Sequence, residues 1–368
     1  MKKTVLAFFT ILCLLSTIFL MGLALNIQQV KATGTMYIRA DGSIDPPTAN
    51  MTSADNIIYY FTDNINDSIV VERSNIVIDG NGYTVQGAGA YDSKGVHLAG
   101  ENNVTITNMT IKAFHKGIEV YQSSNNSIYA NNFVDNSLGI FLWGHWKDPV
   151  CSYNTIFGNN MINNGREVLI SMAWNNTFFN NNFIDDLISL DIGGYTNFWD
   201  NSVEGNYWSD YAGEDQNGDG IGDTPYDIDV ANQDNYPLMG MFSVFDATSE
   251  YDVQTICNST ISDFQFDGTA IRFIVSGEDG TTGFCRISIP TALIPNEPDT
   301  YHVFVNGTEV SHTLLPFSNS TRSYLYFTYN HSTKEVVIIP EFPSFLILPL
   351  FMIATLLATI VYRRKHSV

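Results

Sequence analysis

Four stretches of this chain repeat one asparagine-led pattern: residues 102–109 (NNVTITNM), 126–133 (NSIYANNF), 154–161 (NTIFGNNM) and 176–183 (NTFFNNNF). Each fits N-x-[VIF]-x-x-x-N-[FM], and successive starts lie 24, 28 and 22 residues apart. A unit of that length buries its apolar face only against neighbours, so the period predicts a stack of like units. Val104, Ile106, Met109, Ile111, Ile118 and Val120 fall in short alternating runs rich in β-branched residues, which is strand patterning. Three short strands per turn, with Asn and Gly at the corners, describe a right-handed parallel β-helix. Asn tolerates left-handed backbone angles at corners, and equivalent Asn side chains can hydrogen-bond up the stack. The alignment predicts one inward row of Val104, Ile128, Ile156 and Phe178, and a second of Met109, Phe133, Met161 and Phe183.

The earlier stretch 75–87 (NIVIDGNGYTVQG) reads as a less regular first coil, with residues 34–72 covering the exposed strand edge before it. The β-helix with its N-terminal cap is expected over 33–206, and a C-terminal cap over 207–241. After Pro237 the asparagine repeat stops and longer alternating runs begin, such as AIRFIVSG, YHVFVNG and SYLYFTYN. Their spacing predicts an immunoglobulin-like β-sandwich over 242–339. Asn258, Asn306, Asn319 and Asn330 in this half each precede x-Ser/Thr, which fits a glycosylated exterior. Cys257 and Cys285 are candidates for a disulfide in an oxidising compartment.

Both termini are apolar. Residues 1–32 carry two early lysines, a long apolar run and a small-residue site near Ala32, the pattern of a secretory signal. Residues 345–362 have the length and composition of a transmembrane helix, preceded by a linker over 340–344 and followed by a basic tail over 363–368. The segment between them is therefore expected outside, anchored to the membrane by the C-terminal helix. It holds 11 Lys+Arg against 37 Asp+Glu, a balance that repels phosphate backbones and excludes nucleic acid as a partner.

The loop EDQNGDGIGDTPYD (214–227) places oxygen donors at calcium-loop spacing. Counting from Asp215, the donors are Asp215, Asn217, Asp219 and Asp223, with Gly220 at the sixth position and the Ile221 carbonyl at the seventh. The twelfth position is Tyr226 instead of Glu, leaving Asp227 or Asp210 to complete the set. Bound calcium is expected to be structural, pinning Tyr207, Trp208 and Tyr211 over the last apolar layer.

No catalytic constellation stands out. Asp185-Asp186 is an adjacent acidic pair at an expected corner, and Lys94, Lys112, Lys116, Lys147 and Arg166 read as scattered. Copper would call for grouped soft ligands, whereas His97, His115, His145, Cys151 and Met172 are dispersed in sequence. The insertion 141–153 (FLWGHWKDPVCSY) is the better binding candidate: Trp143, Trp146 and Tyr153 can stack on sugar rings, with His145 and Asp148 supplying hydrogen bonds.

The stretches YIRADGSIDPP (37–47), DSIVVERSNIVIDGNGYTVQG (67–87) and GNYWSDYAGEDQNGDGIGDTPYDID (205–229) resemble archaeal surface proteins with NosD-like right-handed β-helix domains, also described as carbohydrate-binding and sugar-hydrolase repeats. The resemblance covers about 35–241 and implies the fold. It constrains activity less, because the family name comes from a factor for copper-site maturation in nitrous oxide reductase. PEFPS (340–344), an apolar segment and a basic end resemble archaeal tripartite tails, some of them processed by archaeosortases. The expected protein is a membrane-anchored, non-catalytic binding or structural module for carbohydrate or another surface component. A carbohydrate-active enzyme (lyase or glycosidase) and a copper-handling factor are the rival readings.

Overall fold

The computed structural model describes residues 34–145, 151–184, 190–191, 195–294 and 301–340. Every regular element among them is a strand. The expected signal and transmembrane segments lie outside the described residues, among which no helix is long and apolar enough to cross a membrane.

The N-terminal half winds through three sheets of eight, seven and six strands, with successive coils paired in parallel. Ile128 lies opposite Ile156, and Ile156 opposite Phe178. Phe133, Met161 and Phe183 form the second inward column, and all six of these side chains are buried. The first of the four asparagine repeats corrects the expected rows: Ile106, not Val104, pairs with Ile128, and Ile111, not Met109, pairs with Phe133. Val104 and Met109 are nonetheless buried. A two-residue slip keeps every inward side chain inward, so alternation alone cannot distinguish the two alignments.

Asparagine does two jobs at several corners. One residue turns left-handed, and the next is an Asn whose side chain points inside. The pairs include Asn125 (φ 59°) with Asn126, Asp135 (φ 54°) with Asn136, Asn175 (φ 56°) with Asn176 and Asn180 (φ 56°) with Asn181. The inner amides form ladders. Asn126 Nδ2 donates to Asn154 Oδ1 at 2.9 Å, Asn154 to Asn176 at 2.8 Å and Asn176 to Asn197 at 3.0 Å. A second ladder runs Asn131, Asn159, Asn181, Asn206 at 3.1, 2.9 and 2.9 Å. Each Oδ1 also accepts a backbone N–H, as Asn126 does from Val104 at 2.8 Å, so the buried corners are satisfied.

Short antiparallel partners cover the N-terminal edge, Tyr37 opposite Asp45 and Met51 opposite Phe61. At the other end Phe178 stacks on Trp199 at 4.4 Å and Phe183 on Trp208 at 4.3 Å. A hairpin of Tyr226–Asp229 and Asn232–Asp234 finishes the stack. Tyr226 lies on Trp208 at 4.4 Å, Asn232 Oδ1 accepts from the Asn197 backbone at 2.9 Å, and Asp234 receives the second ladder.

The C-terminal half is a sandwich of two five-stranded antiparallel sheets sharing a core that includes Val253, Phe273, Ile287, Val303, Phe327 and Val336. Ile221, Leu238, Phe242, Ile256 and Phe284 form a third cluster between the two halves. Asn182 and the Phe242 backbone exchange two hydrogen bonds of 2.8 Å, and Arg286 pairs with Glu204.

Candidate functional site

Three consecutive strands of the eight-stranded sheet share a second-position glycine: Lys94–Ala99 (KGVHLA), Lys116–Tyr121 (KGIEVY) and Leu138–Trp143 (LGIFLW). A Cβ on Gly117 would lie 2.5 Å from the Gly139 carbonyl oxygen, so the coils pass too close there for a side chain. The register stacks the outward residues in rows. Lys94 lies opposite Lys116, His97 opposite Glu119, Glu119 opposite Phe141, and Tyr121 opposite Trp143.

Glu119 anchors this face and is only 3% exposed. Its Oε1 is 2.6 Å from Lys116 Nζ; its Oε2 is 3.2 Å from Lys94 Nζ and 2.9 Å from His97 Nδ1. Asp92 joins the cluster, accepting from Lys116 Nζ at 2.9 Å. Burial alone would raise the Glu119 pKa, but His97, Lys116 and Lys94 outweigh it and hold the carboxyl at about 2. For Lys116, burial opposes the charge, while Asp92 and Glu119 prevail and raise its pKa. The face is thus a fixed, internally neutralised ionic floor, and Glu119 has no proton to give at neutral pH. The lysines that read as scattered in sequence meet here because Lys94 and Lys116 stand one coil apart. The recurring K-G-[VI] was the overlooked signal.

Beside this floor, Trp143 is 37% exposed, with ring centroids 4.7 Å from Tyr121 and 5.9 Å from Phe141. Of the other expected sugar contacts, Trp146 and Asp148 lie outside the described residues. His145 is half-buried just beyond Trp143. Tyr153, 63% exposed, is a left-handed corner residue (φ 57°) leading into ladder residue Asn154. Among the described residues of the expected set, Trp143 alone stands on the ionic face.

The acidic loop folds onto itself. Asp215 accepts the backbone N–H groups of Gly218 and Gly220 at 2.7 and 2.8 Å, Asp219 that of Ile221 at 2.9 Å, and Asp223 that of Gln216 at 2.6 Å. Burial, followed by the charge of Asp215, raises the Asp219 pKa. Asp227 turns away and accepts from Gln233 at 2.7 Å, and Asp210 bonds Tyr226. No group of three or more His, Cys, Asp or Glu among the described residues is placed to hold a metal ion. Gly218 and Gly220 instead lie against Tyr326 and Arg286, so the loop wedges between β-helix and sandwich. Position twelve is Tyr226 because it stacks on Trp208.

Cys257 and Cys285, the disulfide candidates, face each other in register on neighbouring strands, both buried and both as free thiols. Asn258, Asn306, Asn319 and Asn330 are all exposed. The pair Asp185-Asp186 lies outside the described residues.

Stacked coils stitched by asparagine ladders, with an ionic and aromatic sheet face, define a parallel β-helix protein carrying a β-sandwich. The chain belongs to the NosD family, described as "Periplasmic copper-binding protein (NosD)", whose model matches residues 29–213. It is 32% identical over 112 residues to a probable ABC transporter binding protein NosD of Stutzerimonas stutzeri, covering 30% of this chain and 20% of that protein. It is 31% identical over 112 residues to the protein of the same name from Pseudomonas aeruginosa, with the same coverage of 30% and 20%. The chain therefore matches about a fifth of the length of these curated relatives.

Proposed function

We propose that this NosD-family protein is a non-catalytic carbohydrate-binding module displayed outside the cell, with residues 345–362 as its membrane anchor. The observation that carries the reading is the outer face of the eight-stranded sheet. An aromatic pair, Tyr121 and Trp143, stands there beside a rigid set of hydrogen-bonding groups on Lys94, His97, Lys116 and Glu119. Aromatic rings pack against the apolar faces of sugars while fixed polar groups bond their hydroxyls. Glycosidase chemistry asks for a protonated acid across from a second carboxylate. Glu119 is held ionised, which favours binding over hydrolysis.

Copper, named in the family description, does not fit the described residues. His97 is committed to Glu119, and the buried Cys151 thiol contacts the Val120 carbonyl, its pKa pushed up to about 12 by burial. Met172 is a half-buried, left-handed corner residue (φ 51°), set apart from His97 and Cys151 in the coil.

A glycan array probed with the purified chain and its Trp143→Ala variant tests the reading. Retained glycans that weaken in the variant are expected; an array that retains nothing overturns it. Removal of residues 345–362 is expected to release the protein from membranes in a fractionation assay.

A further inference from the structure

The aromatic pair Tyr121 and Trp143 occupies one edge of the ionic face. The opposite edge carries a second aromatic group. Tyr91 is 90% exposed, with its ring centroid 5.0 Å from that of His115. Burial does not hold a ring so exposed. Its position is set by the next residue, Asp92, which turns left-handed (φ 59°) and pairs with Lys116 at 2.9 Å. The charges that build the floor therefore also aim Tyr91.

An open groove of about 570 Å³ begins at His115. Asp135, Ser137, Asn163 and Arg166 line it with a carboxylate, a hydroxyl, an amide and a guanidinium, and Leu138 supplies an apolar wall. Asn163 Nδ2 donates to Asp135 Oδ1, and the volume and mixed polar lining suit a small ligand rich in hydroxyls. His115 Nδ1 is shielded from solvent and has no hydrogen-bond partner.

The two aromatic edges are joined by the strand Lys116–Tyr121. Its five residue steps span about 17 Å at about 3.3 Å each. That is too far for one sugar ring and short enough for one chain of several. The lysines between the edges are already paired with Glu119 and Asp92, and the chain carries a net charge of −21. An acidic sugar would have to displace those carboxylates and approach against the net charge.

We infer that Tyr91 with the His115 groove, and Tyr121 with Trp143, are two subsites for one linear, uncharged oligosaccharide lying along the strands. This rests on the carbohydrate reading and deepens it to a ligand length and charge class.

Titration calorimetry with neutral gluco- and manno-oligosaccharides, from the monosaccharide to the hexasaccharide, tests it on the full chain. Affinity is expected to rise about tenfold or more once the ligand spans both edges. Tyr91→Ala should abolish that rise, so that long ligands bind no more tightly than short ones. Because Tyr91 is exposed, an unchanged melting midpoint is the folding control. Length-independent affinity, an unaffected Tyr91→Ala variant, or tighter binding of a uronic-acid oligomer would each overturn the two-subsite inference, even with Trp143→Ala still weakening short ligands. Failure of every sugar, charged or neutral, to bind would instead remove the carbohydrate reading beneath it.

Discussion

Asp234 closes the second asparagine ladder, its Oδ2 accepting the Asn206 backbone N–H at 2.7 Å. Each ladder amide donates onward, so the last coil needs a terminal acceptor, which a carboxyl oxygen supplies. The Trp208 indole donates to the same oxygen at 2.9 Å. Burial pushes the Asp234 carboxyl up to about 7 from 3.8, against the lowering effect of these donors. The native state then holds the proton more tightly than the unfolded chain. The Asp234 contribution therefore lowers stability as pH rises from about 4 to about 7. Denaturant titrations across that range should show the slope, and Asp234→Asn should remove it.

Glu119 has the opposite sign. Its folded pKa of about 2 lies below the ordinary 4.5, so its stabilisation is complete above pH 4.5 and fades as pH falls toward 2. Acid unfolding followed by circular dichroism should lose this component in Glu119→Gln. That variant should also be less stable at pH 7, because Lys94 and Lys116 lose a buried anion.

Within the ladders, Asn159→Ala is expected to cost about 3 kcal/mol. Asn159 accepts from the Asn131 backbone at 3.0 Å and donates to the Ile128 carbonyl at 2.8 Å and to Asn181 at 2.9 Å. One truncation leaves several buried groups unpaired. Chemical denaturation measures the loss.

The calcium reading of the acidic loop is checked by melting the chain with calcium and with EDTA. A higher midpoint with calcium is expected, because an ion bound only by the folded loop must stabilise it; coincident midpoints overturn the reading. Gly220→Ala should destabilise by about 1–2 kcal/mol. Gly220 has φ 82°, and a Cβ there would lie 3.3 Å from Arg286.

Cys257 and Cys285, facing in register, should close to a bridge when treated with oxidised glutathione. Two thiols are oxidised as one glutathione disulfide is reduced to two thiols. Mass spectrometry should find the native chain two hydrogens lighter, with Cys151 still alkylatable after unfolding.

Asparagine spacing and β-branched alternation determined the coil, its inward columns and the change to a sandwich near Pro237, because burial of alternate residues is local and leaves its period in the chain. The N-x-[VIF] pattern even exposed the ladders, since a left-handed corner followed by a buried amide recurs as a written motif. Register was not local. Val104 and Ile106 both point inward, and only the closed stack decided that Ile106 meets Ile128. The same holds for the functional face: Lys94, Lys116 and Glu119 become neighbours through coil lengths added over turns, and Tyr226 reaches Trp208 only because a hairpin folds back. Contacts between turns depend on three-dimensional closure, which a period-two pattern leaves undetermined by any even number of residues.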